Sequence, residues 1–439
     1  MSPPTAKDPW ETLRTLPMGQ RIELHDPAGA DWTGTIVPSH DLSGDRILQL
    51  KLESGYNVGI RVGTDFSFRA APASPPSAAS EERARAGPSS TVHPGEPIAL
   101  LTTGGTIASR IDYETGGVRP VRGEREILDF YPDLLSEGPV RVVPVFDRLS
   151  ENIAPNDWSI LAERVALTFR EGARGIVIAH GTDTLGFTSA ALSFLLPELP
   201  GPVVLVGAQR SPDRPSSDGT SNLQAAARVA RDRRIGEVVV VMHAGLSDTR
   251  FAIHRGTQVR KMHSSRRDAF RSRNGPPLGV VEGAEIRLES RVRPPSPRGA
   301  RFDGPLDLSG RLLWYYPGLT PELAEGFVQG ARGIVLAGTG LGHFASVHVD
   351  WIRRAVEAGV VVAMTTQCLE GLADPFVYAT GRELHRAGVL FLDDLLPETA
   401  YVKLLWALGH ATSPDEVRAL LRLDRAGEFV ARHPARGEE

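Results

Sequence analysis

The sequence predicts an α/β fold: a two-lobed body built on parallel strands with crossover helices, preceded by a small all-β, barrel-like module. Three observations carry this reading. From residue 96 onward short apolar runs alternate with helical stretches, the pattern of a parallel sheet whose strands are joined by helices. Upstream, residues 21–62 alternate apolar and polar side chains in short runs separated by Asp, Gly, Pro and Ser clusters. Between the two, residues 70–90 (AAPASPPSAASEERARAGPSS) lose every large apolar side chain and read as a linker.

Taken in order, RIEL (21–24), WTGTIV (32–37), ILQLKL (47–52) and YNVGIRV (56–62) supply the strands of the β module. Its size marks it as an appendage rather than a catalytic domain. In the body, strands are expected at IALL (98–101), GIVIAH (175–180), PVVLVGA (202–208), EVVVVM (237–242), GIVLAG (333–338) and VVVAMT (360–365). Helices are expected over 156–170, 186–196, 219–231, 321–330, 347–358 and 398–409. A second Pro, Gly and Arg-rich stretch at 291–310 divides the body. The expected organisation is a module at 1–69, a linker at 70–95, a larger catalytic lobe at 96–290, an interlobe linker at 291–310 and a smaller lobe at 311–439.

Composition sets the outer limits. A chain of 439 residues with 41% hydrophobic side chains is long enough for at least two cores. Its 49 Lys+Arg against 53 Asp+Glu, net charge -4, exclude a protein held to nucleic acid by overall charge. A single cysteine, Cys368, excludes an intrachain disulfide and any multi-thiolate metal site, and fits a reducing, cytoplasmic compartment. No segment has the roughly 20 apolar residues of a membrane span, and the amino terminus lacks a signal-peptide pattern. The 12 histidines do not cluster at ligand spacing, so neither a catalytic metal nor a cofactor is expected.

Ligands of open α/β sheets gather beyond the carboxyl ends of the strands, and three segments there are rich in reactive groups. Thr102-Thr103-Gly104-Gly105-Thr106 is a glycine-paired turn that either presents Thr106 as a nucleophile or caps a helix with a threonine. In His180-Gly181-Thr182-Asp183-Thr184, Asp183 can bind a substrate ammonium while Thr182 relays a proton; alternatively both cap the next helix. His180, ending an apolar strand, reads as structural. The run from Arg255 to Arg273 reads as a solvated basic face, interrupted only by Phe270. Lys261 within it differs: held near Thr182 and Asp183, it can lower its pKa and draw off a hydroxyl proton. Gly338-Thr339-Gly340-Leu341-Gly342 looks like a phosphate cradle but lacks the full dinucleotide fingerprint. GxSxG, HExxH, P-loop and CxxC patterns are absent from the sequence.

Jointly, TTGGTIAS (102–109), HGTDTLGFTSAAL (180–192) and the lysine segment at 260–263 resemble the type I/II asparaginase family over roughly residues 97–425. The resemblance implies an asparaginase-like body and an amidohydrolase releasing ammonia from glutamine or asparagine through a threonine nucleophile. It matches Thr106 to the first catalytic threonine and Thr182, Asp183 and Lys261 to the second group. It also gives Tyr113 as the tyrosine of a mobile loop at 107–120. Gly105, Ser150, Glu151 and Gly181 become substrate-binding residues, and Glu370 in TTQCLEG falls where a substrate-facing acid is donated across a subunit interface. Either threonine can serve as nucleophile, so the two are assigned jointly.

Some 90 residues precede the TGGTI strand, and the small β module containing GYNVGI (55–60) makes the chain similar to the D-type subunit family of glutamyl-tRNA(Gln) amidotransferases. That resemblance implies an E-type, tRNA-binding partner subunit that uses the ammonia to convert Glu-tRNA(Gln) to Gln-tRNA(Gln), with only indirect contact of this chain with tRNA. The expected assembly is at least a homodimer. The alternatives are a stand-alone asparaginase or peptide amidase with the same site, and a catalytically silent binding protein.

Overall fold

The computed structural model describes residues 8–37, 46–52, 57–70, 97–104, 109–111, 118–120, 131, 134, 138–210 and 217–430. In the first segment a short helix, α1 (Pro9–Leu13), is capped by Asp8, whose carboxylate accepts the Trp10 N–H. Five antiparallel strands follow: β1 (Arg21–His25), β2 (Asp31–Ile36), β3 (Ile47–Leu52), β4 (Asn57–Arg61) and β5 (Ser67–Ala70), in the order β4-β3-β2-β1-β5. Period-two alternation turns Ile22, Leu24, Ile36, Leu48, Leu50 and Ile60 to one side, where Leu13 closes a separate small core. β5 pairs with β1 although its SFRA sequence is too short and too polar to give a pattern.

The body is built on an eight-stranded sheet. Its parallel part comprises β6 (Ile98–Thr102), β9 (Val140–Pro144), β10 (Ile176–Ala179), β11 (Val203–Val206) and β12 (Val238–His243). Helices α2 (Pro155–Arg170), α3 (Leu185–Leu195) and α4 (Gly219–Ala230) are the crossovers, close to the expected bounds. β6, β10, β11 and β12 are buried along their whole length, which is why they read as continuous apolar runs.

The sheet is mixed rather than wholly parallel. Three antiparallel strands, β13 (Arg250–Arg255), β16 (Gly279–Glu282) and β17 (Glu285–Leu288), extend it from β12. The full order is β17-β16-β13-β12-β11-β10-β6-β9. The three added strands escape the sequence pattern because charged residues interrupt them: Arg250 and Arg255 in β13, Glu282 in β16, Glu285 and Arg287 in β17. Two small hairpins lie apart from the sheet: β7 (Ser109–Ile111) with β8 (Val118–Pro120), and β14 (Val259–Lys261) with β15 (Phe270–Ser272).

A second sheet of four parallel strands, β18 (Gly310–Trp314), β19 (Gly333–Gly338), β20 (Val361–Thr366) and β21 (Leu390–Phe391), carries α5 (Pro321–Val328), α6 (Val349–Glu357), α7 (Ala379–Arg386), α8 (Pro397–His410) and α9 (Pro414–Arg422). Helix α8 joins the lobes: Trp406 stacks on Phe194 of α3 at 6.3 Å between ring centres, and one apolar core runs from the first sheet through α8.

The basic run at 255–273 is a solvated face only in part: residues 263–266 are exposed, while the arginines on either side are paired. Arg255 is buried against Glu237 at 2.8 Å, Arg260 pairs with Glu398, Arg266 and Arg271 share Asp268, and Arg273 holds Glu370. Glu237, Glu398 and Glu370 come from distant parts of the chain to meet the more buried arginines, which no local charge count can anticipate, while Asp268 belongs to the run itself.

Candidate active site

The turns that follow β6 and β10 leave the sheet side by side, because Thr102 and Ala179 are paired in parallel register. Thr103 fastens the first turn, donating its hydroxyl hydrogen to Ala179 O at 3.0 Å while its own carbonyl accepts the Arg148 N–H at 2.9 Å. Gly104 has φ +95°, and a Cβ there would stand 2.5 Å from Arg148 O, so this position needs glycine for both conformation and space. Gly105, Thr106 and Tyr113 lie outside the described residues.

The second turn is supported by Ser150. Asp183 N–H donates to Ser150 Oγ at 3.3 Å, and Thr184 Oγ1 donates to Ser150 O at 2.6 Å. Gly181 lies flat on the same residue; a Cβ would meet Ser150 Cβ and Oγ at 2.8 Å. Ser150 is buried, whereas the adjacent Glu151 faces solvent. Helix α3 starts from Thr184 with no side-chain cap bond, and the Thr182 hydroxyl and Asp183 carboxylate turn instead toward Lys261.

Lys261 arrives on the β14–β15 hairpin. Gly186 lets the hairpin approach the first turn of α3, since a Cβ at this position would sit 3.3 Å from Val259 O. The Lys261 ammonium donates at 2.8 Å to Thr182 Oγ1 and at 2.8 Å to Asp183 Oδ1. Thr182 is buried, the lysine side chain is 15% exposed, and the Asp183 side chain is 66% exposed. One ammonium is thus shared between a buried hydroxyl and a carboxylate open to an incoming amine.

His180 has no outlet for charge. Its ring nitrogens contact Gly181 O at 2.6 Å and Thr188 Oγ1 at 2.9 Å, and burial pushes its pKa down to about 4. Glu370, after β20, is half-exposed and paired with Arg273 at 3.0 Å. The Gly338–Gly342 stretch folds into a tight turn in which Thr339 N–H donates to His343 O at 3.0 Å. Among the described residues no group of three or more His, Cys, Asp or Glu is arranged to hold a metal ion, and no helix is long and apolar enough to cross a membrane.

A polar network beside the site has no motif to announce it. Buried Asp218 accepts the Gln209 and Arg210 N–H groups, Asn222 bonds Asp218, and His243 bridges Asn222 to Asp248. Asp248 in turn accepts from Arg267, between β14 and β15. The only sequence signal is the Asp-Gly start of α4, which reads as an ordinary helix entry.

Comparison with known proteins agrees with this architecture. Family models match at three places: "Asparaginase, N-terminal" over 97–293, "Glutaminase/Asparaginase C-terminal domain" over 311–421, and "GatD N-terminal domain" over 16–65. The glutamyl-tRNA(Gln) amidotransferase D subunit of Saccharolobus solfataricus is 45% identical over 408 residues, covering 91% of this chain and 90% of its own. The protein of that name from Sulfolobus acidocaldarius is 43% identical over 419 residues, covering 94% and 92%. Among solved structures, the thermostable L-asparaginase from Thermococcus kodakarensis superposes with a TM-score of 0.70 at 33% identity, covering 76% of this chain and all (100%) of that one. L-asparaginase I from Vibrio cholerae gives 0.64 at 29% identity, with 76% and 99% covered. The solved asparaginases thus match about three quarters of the chain, while the D-type relatives extend over nine tenths of it and a GatD model takes in the β module; the chain belongs to the GatD family, the D-type subunits of glutamyl-tRNA(Gln) amidotransferase.

Proposed function

We propose that this chain is the amidohydrolase subunit of a tRNA-dependent amidotransferase, releasing ammonia from glutamine or asparagine for the conversion of Glu-tRNA(Gln) to Gln-tRNA(Gln). The chemistry rests on one observation: Lys261 bonds Thr182 and Asp183 at the carboxyl edge of the sheet. In the proposed reaction a threonine hydroxyl attacks the carboxamide carbon, its proton passes to the neighbouring base, and ammonia leaves with a returned proton. Water then hydrolyses the acyl-threonine to the free carboxylate and regenerates the hydroxyl. Thr106 is the proposed first nucleophile, aided by Tyr113, with Thr182 and Lys261 as the second relay. Gly104, the last described residue before Thr106, follows a strand in register with the one leading to Thr182.

Asp183, solvent-open beside Lys261, is assigned the substrate ammonium, and backbone N–H groups near Gly105 and Thr182 the oxyanion. Ser150, Gly181 and Glu151 form the substrate floor, and Glu370 completes the site of a second protomer in a homodimer. On this reading the protein works in the cytoplasm with an E-type subunit that contacts tRNA and receives the ammonia.

The test is ammonia release from glutamine and asparagine by the full chain, alone and with the E-type subunit and misacylated tRNA. Lys261→Met and Thr182→Ala should each lower kcat about 10²–10⁴-fold. Full, tRNA-independent activity of the isolated chain on free asparagine would favour the stand-alone amidase. Retained activity in both variants would remove the relay.

A further inference from the structure

His243, the last residue of β12, is fully buried, yet both of its ring nitrogens meet acceptors. On one side Nδ1 lies 2.7 Å from Asn222 Oδ1. The orientation of that amide is fixed by its other end: Asn222 Nδ2 donates to Gly207 O at 3.0 Å and to Asp218 Oδ2 at 3.1 Å, leaving only the carbonyl oxygen for the histidine. Asp218 takes the Gln209 and Arg210 N–H groups as well, so it is an acceptor throughout. On the other side Nε2 lies 2.8 Å from Asp248 Oδ1, which also accepts from Arg267 at 3.0 Å and Ser221 Oγ at 3.2 Å. Two acceptors need two N–H donors, and an imidazole that donates from both nitrogens carries a positive charge.

We propose that His243 is held as an imidazolium and that its ion pair with Asp248 positions, through Arg267, the hairpin that presents Lys261 to Thr182. The path is short. Asp248 joins the loop after β12 to the segment connecting β14 with β15, and Lys261 ends β14. A second tie runs parallel to it: Arg271 donates to Ala244 O at 3.1 Å while gripping the buried Asp268. The charged groups facing the ring are Asp248 from its own loop, Asp218 behind Asn222 on α4, and Arg267 beyond Asp248; Arg250 on the paired strand β13 is engaged by Glu282. The Phe251 ring stands edge-on at 4.7 Å and fills the remaining side.

His243 is in this view a positioning residue, and its role rests on the relay assigned above to Lys261. If the histidine loses its proton, one acceptor faces a bare nitrogen. Asp248 then keeps Arg267 but loses its buried anchor, and the hairpin holding Lys261 is loosened. Amidase activity should therefore fall when the carboxylate that anchors the ring is removed.

Ring nitrogen NMR of the full chain, labelled with ¹⁵N-histidine, reads the charge directly. Both nitrogens of His243, assigned by comparison with His243→Gln, should carry protons, and Asp248→Ala, which removes the second acceptor, should leave one bare. In the companion assay, Asp248→Ala should lower kcat about tenfold or more, with a much smaller change in KM. A bare nitrogen on His243 in the unaltered chain, or an unchanged kcat in a folded Asp248→Ala, overturns the proposal. Failure of the relay shows separately: Lys261→Met would stay active while the ring nitrogens still report the imidazolium.

Discussion

Lys261 and Thr182, 79 residues apart in sequence, are joined by a 2.8 Å hydrogen bond from ammonium to hydroxyl. Neither stands out alone: one sits in a basic run, the other in a turn at a strand end. Their convergence is produced by Gly186, which admits the hairpin, and by Ser150, which holds the turn.

The first turn depends on a glycine. At φ +95°, with the Arg148 backbone in the way, Gly104→Ala should destabilise the protein by about 1–3 kcal/mol and displace the segment leading to Thr106. Urea unfolding together with amide hydrolysis checks this: both the midpoint and the rate should fall, and a wild-type midpoint would show that the turn relaxes freely.

His180 links stability to acid. Its folded pKa of about 4 lies below the ordinary 6.5, so between those values the unfolded chain takes up a proton that the folded chain refuses. Its contribution is fully present above the ordinary value and is lost as pH falls through the window, by roughly 3 kcal/mol in all. Tm measured from pH 7 to pH 4 should drop steeply in the unaltered chain and less steeply in His180→Gln. Equal slopes would show that another group sets the acid limit.

Lys403 and Glu428 form a buried ion pair that seals the carboxy-terminal turn. The ammonium also donates to Leu421 O at 2.8 Å and Leu423 O at 2.6 Å. Burial alone would raise the Glu428 carboxyl, but the neighbouring ammonium outweighs it and holds the group below its usual range. Its stabilising contribution is therefore present above the ordinary carboxylate range and disappears as pH falls through the lowered value. Glu428→Gln should cost about 3–5 kcal/mol by stranding the cation, and adding Lys403→Met should recover much of it. Chemical denaturation of both variants decides; a double variant no more stable than the single one would mean the pair acts through shape rather than charge.

Tyr113→Phe tests the loop at 107–120. Under the proposed mechanism turnover should fall about 10²-fold or more with a much smaller change in KM, because the hydroxyl acts in the transition state. An unchanged kcat would take Tyr113 out of the mechanism.

Local sequence pattern was enough for β1 to β4 of the module, for β6, β10, β11, β12, β19 and β20 of the body with helices α2, α3 and α4, and for the threonine-bearing turn after β10, but not for β5, β9, β18 or β21. Each is local: a strand buried on both faces must be a run of apolar residues, and a tight turn at its end must carry glycine. Tertiary structure alone decided the antiparallel extension of the large sheet, the neutralisation of the arginine run, and the Asp218-Asn222-His243-Asp248 network. It also brought Ser150 and Lys261 to the turn that carries Thr182 and Asp183. These are pairings between polar groups far apart in the chain, and a charged side chain looks the same in a sequence whether it ends in water or against a buried partner.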